Sequence, residues 1–168
     1  MSDSILISEA NLFDVKQAND VLIMLRKYAC DIMGGNADLS DYVKDNLVLE
    51  LQKRPSSIVL LGYDEENPVA LCLAFEGFSS FYAKPLINIH DFVVSLEYRG
   101  RGIAKMLLDK VEEIAINRGC CKLTLEVLEG NIRAQKIYKD FGFAGYELNS
   151  NTGKALFYDK KLVYFNEH

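Results

Sequence analysis

Apolar and polar positions recur along this chain with two different periods, which together predict both helices and strands. Helical spacing places Val15, Ala18, Leu22 and Leu25 on one stripe, whereas short apolar runs bounded by turn residues are typical of strands. In the first half of the chain, the predicted strands are residues 4–8, 58–63, 69–78 and 86–94, and the predicted helices are residues 15–32 and 39–53.

The second half of the chain predicts a strand–helix–strand unit followed by one more helix and a hairpin. A crossover of this length between two strands implies parallel pairing with a right-handed connection. The remaining predicted elements are a helix from Ile103 closed by Gly119, a strand at residues 122–128, a helix capped by Asn131 and closed by Gly142, and a hairpin of residues 143–148 and 155–163.

These elements predict one α/β domain over residues 1–168, of the α+β kind with a mixed sheet of about seven strands and four flanking helices. A chain of this length can bury a sizeable core, and the pattern shows no repeat and no low-complexity linker.

The composition disfavours several classes of partner. The chain is 49% apolar, yet no apolar run approaches the roughly 20 residues that a membrane helix needs. Its first residues lack the features of a secretory signal. Four cysteines without zinc-ligand spacing and only two histidines predict reduced thiols, a cytoplasmic location and no metal site. The net charge of −5 disfavours nucleic acid and is compatible with a cationic substrate.

The segment 99–105, with the sequence RGRGIAK, has the features of a phosphate-binding loop. Gly100 and Gly102 allow an anion to approach closely, and the main-chain N–H groups of a helix N-terminus attract it. Arg99 and Arg101 can add charge-assisted hydrogen bonds. The loop is not a Walker A loop, which requires Lys-Ser/Thr after its last glycine, and Lys105 occupies the position where a Rossmann fingerprint requires a small residue.

Two motifs make the chain resemble the GNAT superfamily of acyl-CoA-dependent N-acyltransferases. Arg99, Gly102 and Ala104 match the family signature Arg-x-x-Gly-x-Ala. The second half matches the family's Leu-x-Val strand followed by Asn, a small residue, Tyr and Gly-Phe, here Leu125, Val127, Asn131, Ala134, Tyr138, Gly142 and Phe143. The predicted order of elements is also similar to that of the GNAT fold.

The resemblance implies that coenzyme A, as acetyl-CoA, binds where strands 86–94 and 122–128 splay apart. Its pyrophosphate would lie on the amides of segment 99–105, and its pantetheine arm would pair with strand 86–94 as an added strand. An N–H near Phe92 or Val93 would stabilise the oxyanion. The implied cofactor-binding residues are Phe92, Val93, Val94, Arg99, Gly100, Arg101, Gly102, Ile103, Ala104, Lys105, Asn131, Ala134 and Tyr138.

Three residues are candidates for moving protons. Tyr138 is the expected acid for the departing thiolate, the alternative being an ordinary core aromatic on the stripe of Ile137. The base that deprotonates the amine is left open among Glu126, His90 and a water chain. The segment IHDFVV resembles the LEDFFV of polyamine acetyltransferases with His90 in place of Glu, so His90 is either a base or a structural histidine. Asp91 would orient His90, bind a cationic substrate or have only a structural role in the strand.

The sequence therefore predicts an acetyl-CoA-dependent N-acetyltransferase. The expected acceptor is a small polyamine-like or amino-acid-like amine, which attacks directly in a ternary complex. The alternatives are acetylation of a peptide or protein amine, and a non-catalytic acyl-CoA-binding module. A homodimer is compatible with the predicted exposed hairpin.

Overall fold

The computed structural model describes residues 4–147, 149 and 151–162. Its strands and helices follow the predicted order up to the last predicted helix. The strands are β1 (Leu6–Glu9), β2 (Ser57–Asp64), β3 (Asn67–Ser79), β4 (Lys84–Val94) and β5 (Leu123–Leu125), and the helices are α1 (Val15–Cys30), α2 (Asp41–Gln52), α3 (Ile103–Asn117) and α4 (Ile132–Phe141). No helix in this described part is long and apolar enough to cross a bilayer.

The five strands form one mixed sheet in the order β1-β2-β3-β4-β5. The first four pair antiparallel, and β5 pairs parallel to β4 after the α3 crossover. The predicted mixed sheet with four helices is therefore confirmed, but the predicted count of about seven strands is wrong among the described residues.

The two missing strands belong to the predicted final hairpin. Its described residues make only one isolated bridge, between Glu147 and Lys154, while Leu148 and Val163 lie outside the described residues. Apart from Phe143, which packs against the core, the apolar side chains of the hairpin's described residues are exposed, as Leu156 is at 72%. Strand propensity without burial does not stabilise a hairpin.

The sheet is covered on both faces, which explains why its central strands are apolar throughout. On one face, α1 packs Val21 and Met24 against Leu71 of β3 and Val93 of β4. On the other face, α3 packs Ile103, Leu107 and Val111 against strand residues that include Cys72, Ile87 and Val94. We call these the α1 face and the α3 face.

Helix α1 begins where predicted and ends two residues early. Asp14 is the N-cap and accepts a hydrogen bond from the Gln17 N–H at 2.9 Å. The chain turns at Asp31, whose N–H donates to the Tyr28 carbonyl at 3.0 Å and whose carboxylate accepts from the Met33 N–H at 2.9 Å. This side-chain turn competes with the helix and terminates it.

Candidate active site

Strand β4 contains a β-bulge near its middle. Leu73 of β3 pairs with Asp91 and the next residue, Ala74, pairs with Ile89, so that His90 is an extra residue without a partner on β3. A bulge bends its strand and increases the local twist.

The bulge brings two polar side chains to the same face of the sheet. His90 contacts Phe75 edge-on with ring centroids 4.9 Å apart, and Phe75 packs on the α1 face. Asp91 pairs with Leu73, which also belongs to the α1 face. Phe92 then packs on the α3 face, so alternation resumes after the bulge. Two neighbouring polar groups therefore face the α1 side together.

The sheet opens between β4 and β5 immediately before the bulge. The parallel pairing joins Ile87 to Leu123, Asn88 to Thr124 and Ile89 to Leu125, and no described residue of β5 pairs with β4 beyond that point. The predicted strand 122–128 is thus shorter than expected, and Glu126 follows its end. Beyond the bulge, no described residue of β5 covers the edge of β4, and the Val94 carbonyl at its end accepts from Arg99 Nε at 3.0 Å.

A cavity of about 1250 Å³ occupies this opening. It runs between segment 99–105, which we call the glycine loop, the edge of β4, helix α4 and the end of α1. The predicted site residues that line it are His90, Phe92, Val93, Val94, Arg99, Gly100, Gly102, Ile103, Ala104, Lys105, Glu126, Asn131, Ala134 and Tyr138.

The glycine loop has the backbone that close approach of an anion requires. Gly100 and Gly102 have φ angles of 84° and 81°, and the space that a Cβ would occupy is open at both positions. Gly102 caps α3, whose first-turn N–H groups have no intrahelical acceptor. Open space, unpaired amides and the helix dipole together suit a diphosphate group.

The side chains of the two loop arginines differ in position, because Arg99 lines the cavity and Arg101 does not. The Arg99 guanidinium donates from Nη2 to Asp31 Oδ2 at 2.8 Å and from Nε to the Val94 carbonyl at 3.0 Å. Arg101 does not line the cavity; it donates to the Glu97 carbonyl at 3.2 Å and lies 4.8 Å over the Tyr98 ring. The structure therefore places Arg101 apart from the other predicted residues.

Tyr138 lies at the interface of the core and the cavity. Its ring contacts Phe92 and Phe143 edge-on, with centroid distances of 5.9 and 5.8 Å. Only 8% of the residue is exposed, and burial raises the pKa of its hydroxyl well above the ordinary value. Among the described residues the hydroxyl has no hydrogen-bond partner. Tyr138 is thus a core aromatic with a protonated hydroxyl that a ligand can reach.

The end of α1 supplies cavity residues that the sequence did not reveal. Tyr28, Asp31, Met33 and Gly34 all line the cavity. Burial raises the pKa of the Tyr28 hydroxyl, and Asp91 and Asp31 add to the increase. At this point the sequence carries Gly34 and Gly35 just after the predicted helix 15–32, a signal for a helix end and not for a cavity wall.

The bulged residues differ in burial. His90 is exposed, as is Glu126 across the opening. Asp91 is partly buried, and burial raises its pKa while the neighbouring His90 opposes the increase. The α1 face therefore carries one carboxylate, Asp91, next to the imidazole, and of these two residues only His90 lines the cavity.

The chain thus combines an open mixed sheet with a glycine loop at the gap between β4 and β5, and its family follows from the sequence match. Residues 24–143 match the acetyltransferase (GNAT) family, and the chain belongs to that family. The predicted family is thereby confirmed.

Characterised relatives match part of this chain in sequence, and solved structures match its fold. The thialysine N-ε-acetyltransferase of Bos taurus is 45% identical over 56 residues, which are 33% of this chain and 33% of that protein. The chain thus spans about a third of the length of the curated relatives it matches.

Solved structures show the same fold over nearly the whole chain. A possible acetyltransferase from Clostridium difficile 630 has a TM-score of 0.77 at 18% identity, with 95% of this chain and 99% of that chain covered. AAC(6')-Iy in complex with a bisubstrate analog, CoA-S-monomethyl-acetylneamine, has a TM-score of 0.73 at 17% identity and the same coverage.

Proposed function

We propose that this protein transfers the acetyl group of acetyl-CoA to a primary amine of a small molecule by direct attack in a ternary complex. The observation that carries the proposal is one cavity that joins the glycine loop to His90 of the β4 bulge and to Glu126 and Tyr138. One end suits a diphosphate, and the other end holds groups that can bind a cation and move a proton.

Coenzyme A, when bound, supplies an activated thioester. The amides from Gly100 to Lys105 would hold its diphosphate, and the free edge of β4 at Phe92, Val93 and Val94 would pair with its pantetheine arm. Asn131 and Ala134 at the start of α4 would form the opposite wall. A main-chain N–H near Phe92 or Val93 would stabilise the oxyanion of the tetrahedral intermediate.

Two proton transfers balance the reaction. The amine nitrogen forms a bond to the acyl carbon and loses a proton, while the C–S bond breaks and the thiolate gains a proton. Tyr138 would donate that proton, since its hydroxyl is protonated at neutral pH and lines the cavity. The amine proton would pass to Glu126, to His90 or to water, and the exposure of both side chains gives each of them access to solvent.

The acceptor that this cavity suits best carries a second positive charge. Glu126 lines the cavity at the opening of the sheet, and Asp91 lies next to His90, which lines the cavity as well. Carboxylates attract ammonium groups and favour their charged form. The thialysine specificity in the names of the partial relatives agrees with an amino-acid-like or polyamine-like diamine.

The test is thiol release from acetyl-CoA in the presence of single amines. Thialysine, lysine, putrescine and spermidine are the primary panel, and a peptide with a free N-terminus but no lysine tests the protein-amine alternative. Nε-acetyl-lysine is the matched control because its distal amine is blocked. Saturable release with a diamine supports the proposal. Binding of acetyl-CoA without release for any amine would instead indicate a non-catalytic acyl-CoA-binding module.

We also propose that the protein is a cytoplasmic homodimer. The four cysteines are free thiols, as expected in a reducing compartment. Leu156, Phe157 and Tyr158 are 71–81% exposed, and a second copy would cover such a contiguous apolar segment. Light scattering should give a mass near twice that of the chain, and replacement of Leu156 and Phe157 by Ser should shift the mass to that of one chain. A wild-type monomer would contradict this part of the proposal.

A further inference from the structure

Arg99 joins two segments that are far apart in the sequence. Its Nη2 donates to Asp31, 68 residues earlier, at 2.8 Å, and its Nε donates to the carbonyl of Val94 at the end of β4. The side chains of Arg99 and Asp31 are 27% and 24% exposed, so the ion pair is partly shielded from solvent. A charge-assisted pair of this kind is stronger than a neutral hydrogen bond.

Asp31 is the centre of the turn that forms the α1 wall of the cavity. Its carboxylate Oδ1 accepts from the Met33 N–H at 2.9 Å, while its carbonyl accepts from Gly34 and Asn36 at 2.8 and 3.1 Å. The turn is packed closely against α1, because a Cβ on Gly34 would lie 1.8 Å from the Tyr28 carbonyl oxygen. The second carboxylate oxygen is the one that binds Arg99.

The charge of Arg99 is therefore balanced inside the protein. A carboxylate 2.8 Å from the guanidinium offsets its field, and two of its donor groups already have acceptors. A diphosphate placed beside Arg99 would also approach the Asp31 carboxylate, which repels it. The main-chain amides of the glycine loop carry no such opposing charge.

We propose that Arg99 and Asp31 act as a positioning pair that fastens the turn at Met33 and Gly34 to the end of β4. The pair shapes the α1 wall of the cavity, where Met33 and Gly34 lie and where we place the acceptor, and Arg99 is not a phosphate ligand. The acceptor part of this inference depends on the proposed acetyltransferase function, whereas the structural and cofactor parts do not.

The variants Asp31→Asn and Arg99→Gln test the pair, alone and combined. Asn keeps the oxygen that accepts from Met33 but lacks the charge that binds Arg99. The control is Arg118→Gln, which breaks an ion pair with Glu76 of similar exposure, 33% and 35%, whose members do not line the cavity. Three quantities are measured: amide hydrogen exchange in residues 32–37, the Kd of acetyl-CoA by calorimetry, and the KM of the best amine.

We expect both single variants to accelerate exchange in residues 32–37 by about tenfold, since local opening reports local stability. The Kd of acetyl-CoA should stay within about twofold, and the KM of the amine should rise by about five- to tenfold. The double variant should be no worse than either single variant, because both remove one interaction. Arg118→Gln should change none of the three.

Two results would overturn the inference. One is a tenfold or larger loss of acetyl-CoA affinity in Arg99→Gln together with unchanged or tighter binding in Asp31→Asn, which would make Arg99 a phosphate ligand. The other is unchanged exchange in residues 32–37 in both variants. If the wild-type protein acetylates no amine, the proposed function fails, while the exchange and affinity measurements still decide the role of the pair.

Discussion

Replacing Tyr138 by Phe would remove one oxygen atom from the cavity wall and leave the ring packing in place. The ring would keep its edge contacts to Phe92 and Phe143. Among the described residues the hydroxyl has no hydrogen-bond partner to lose, so the free energy of unfolding should change by less than about 0.5 kcal/mol.

Turnover should fall much more than stability does. A positioned general acid contributes about 10²–10⁴-fold to the rate, so kcat should fall by at least about 10²-fold, or about 2.7 kcal/mol of activation free energy. The Kd of acetyl-CoA should stay within about threefold, because most of its contacts are elsewhere. Stopped thiol-release assays at saturating amine give kcat, and calorimetry gives the Kd.

A matched Tyr→Phe change on the α1 face provides the control. The Tyr63 hydroxyl donates to Asp20 at 2.7 Å, away from the cavity. Tyr63→Phe should cost about 1.5–3 kcal/mol of stability, as for a hydrogen bond to a charged group, and leave kcat unchanged. The acid role of Tyr138 is refuted if Tyr138→Phe turns over within twofold of the wild-type protein.

Two further variants test the loop and the bulge. Gly102→Ala should weaken acetyl-CoA binding at least tenfold by calorimetry, since it adds a methyl to the cradle and about 1–2 kcal/mol of backbone strain. Gly119→Ala, with a similar φ of 68° outside the cavity, should cost stability alone. Asp91→Asn should raise the KM of a diamine and also raise the melting temperature at pH 7. Burial raises the Asp91 pKa in the folded state, so its ionisation costs stability above that pKa, and the cost disappears as the pH falls through it. The gain should therefore be smaller at pH 4, and equal gains at both pH values would contradict the assignment.

The parts of the site that were predictable have local causes. The glycines of the loop are needed where φ is positive, and the Asn131 cap is a contact between a side chain and an amide three residues later, at 3.1 Å. Such contacts depend on neighbouring residues only, so a single sequence reveals them. The same holds for the order of strands and helices up to α4.

The parts that were not predictable depend on distant segments. Nothing local to Arg99 shows that Asp31 binds it. Simple alternation through residues 89–94 would put His90 and Asp91 on opposite faces, and the run is too apolar to reveal the extra residue. The prediction of the final hairpin was wrong for a similar reason, because its apolar side chains after the turn, such as Leu156, find no described surface of the sheet to pack on.

The bulge in β4 has a consequence for deletions in this strand. If His90 were absent, Ile89 and Asp91 would pair with Ala74 and Leu73 in regular succession, and every other side chain of β4 would keep its present face. A chain shorter by this one residue would thus have a continuous ladder between β3 and β4, a straighter strand and no imidazole on the cavity wall.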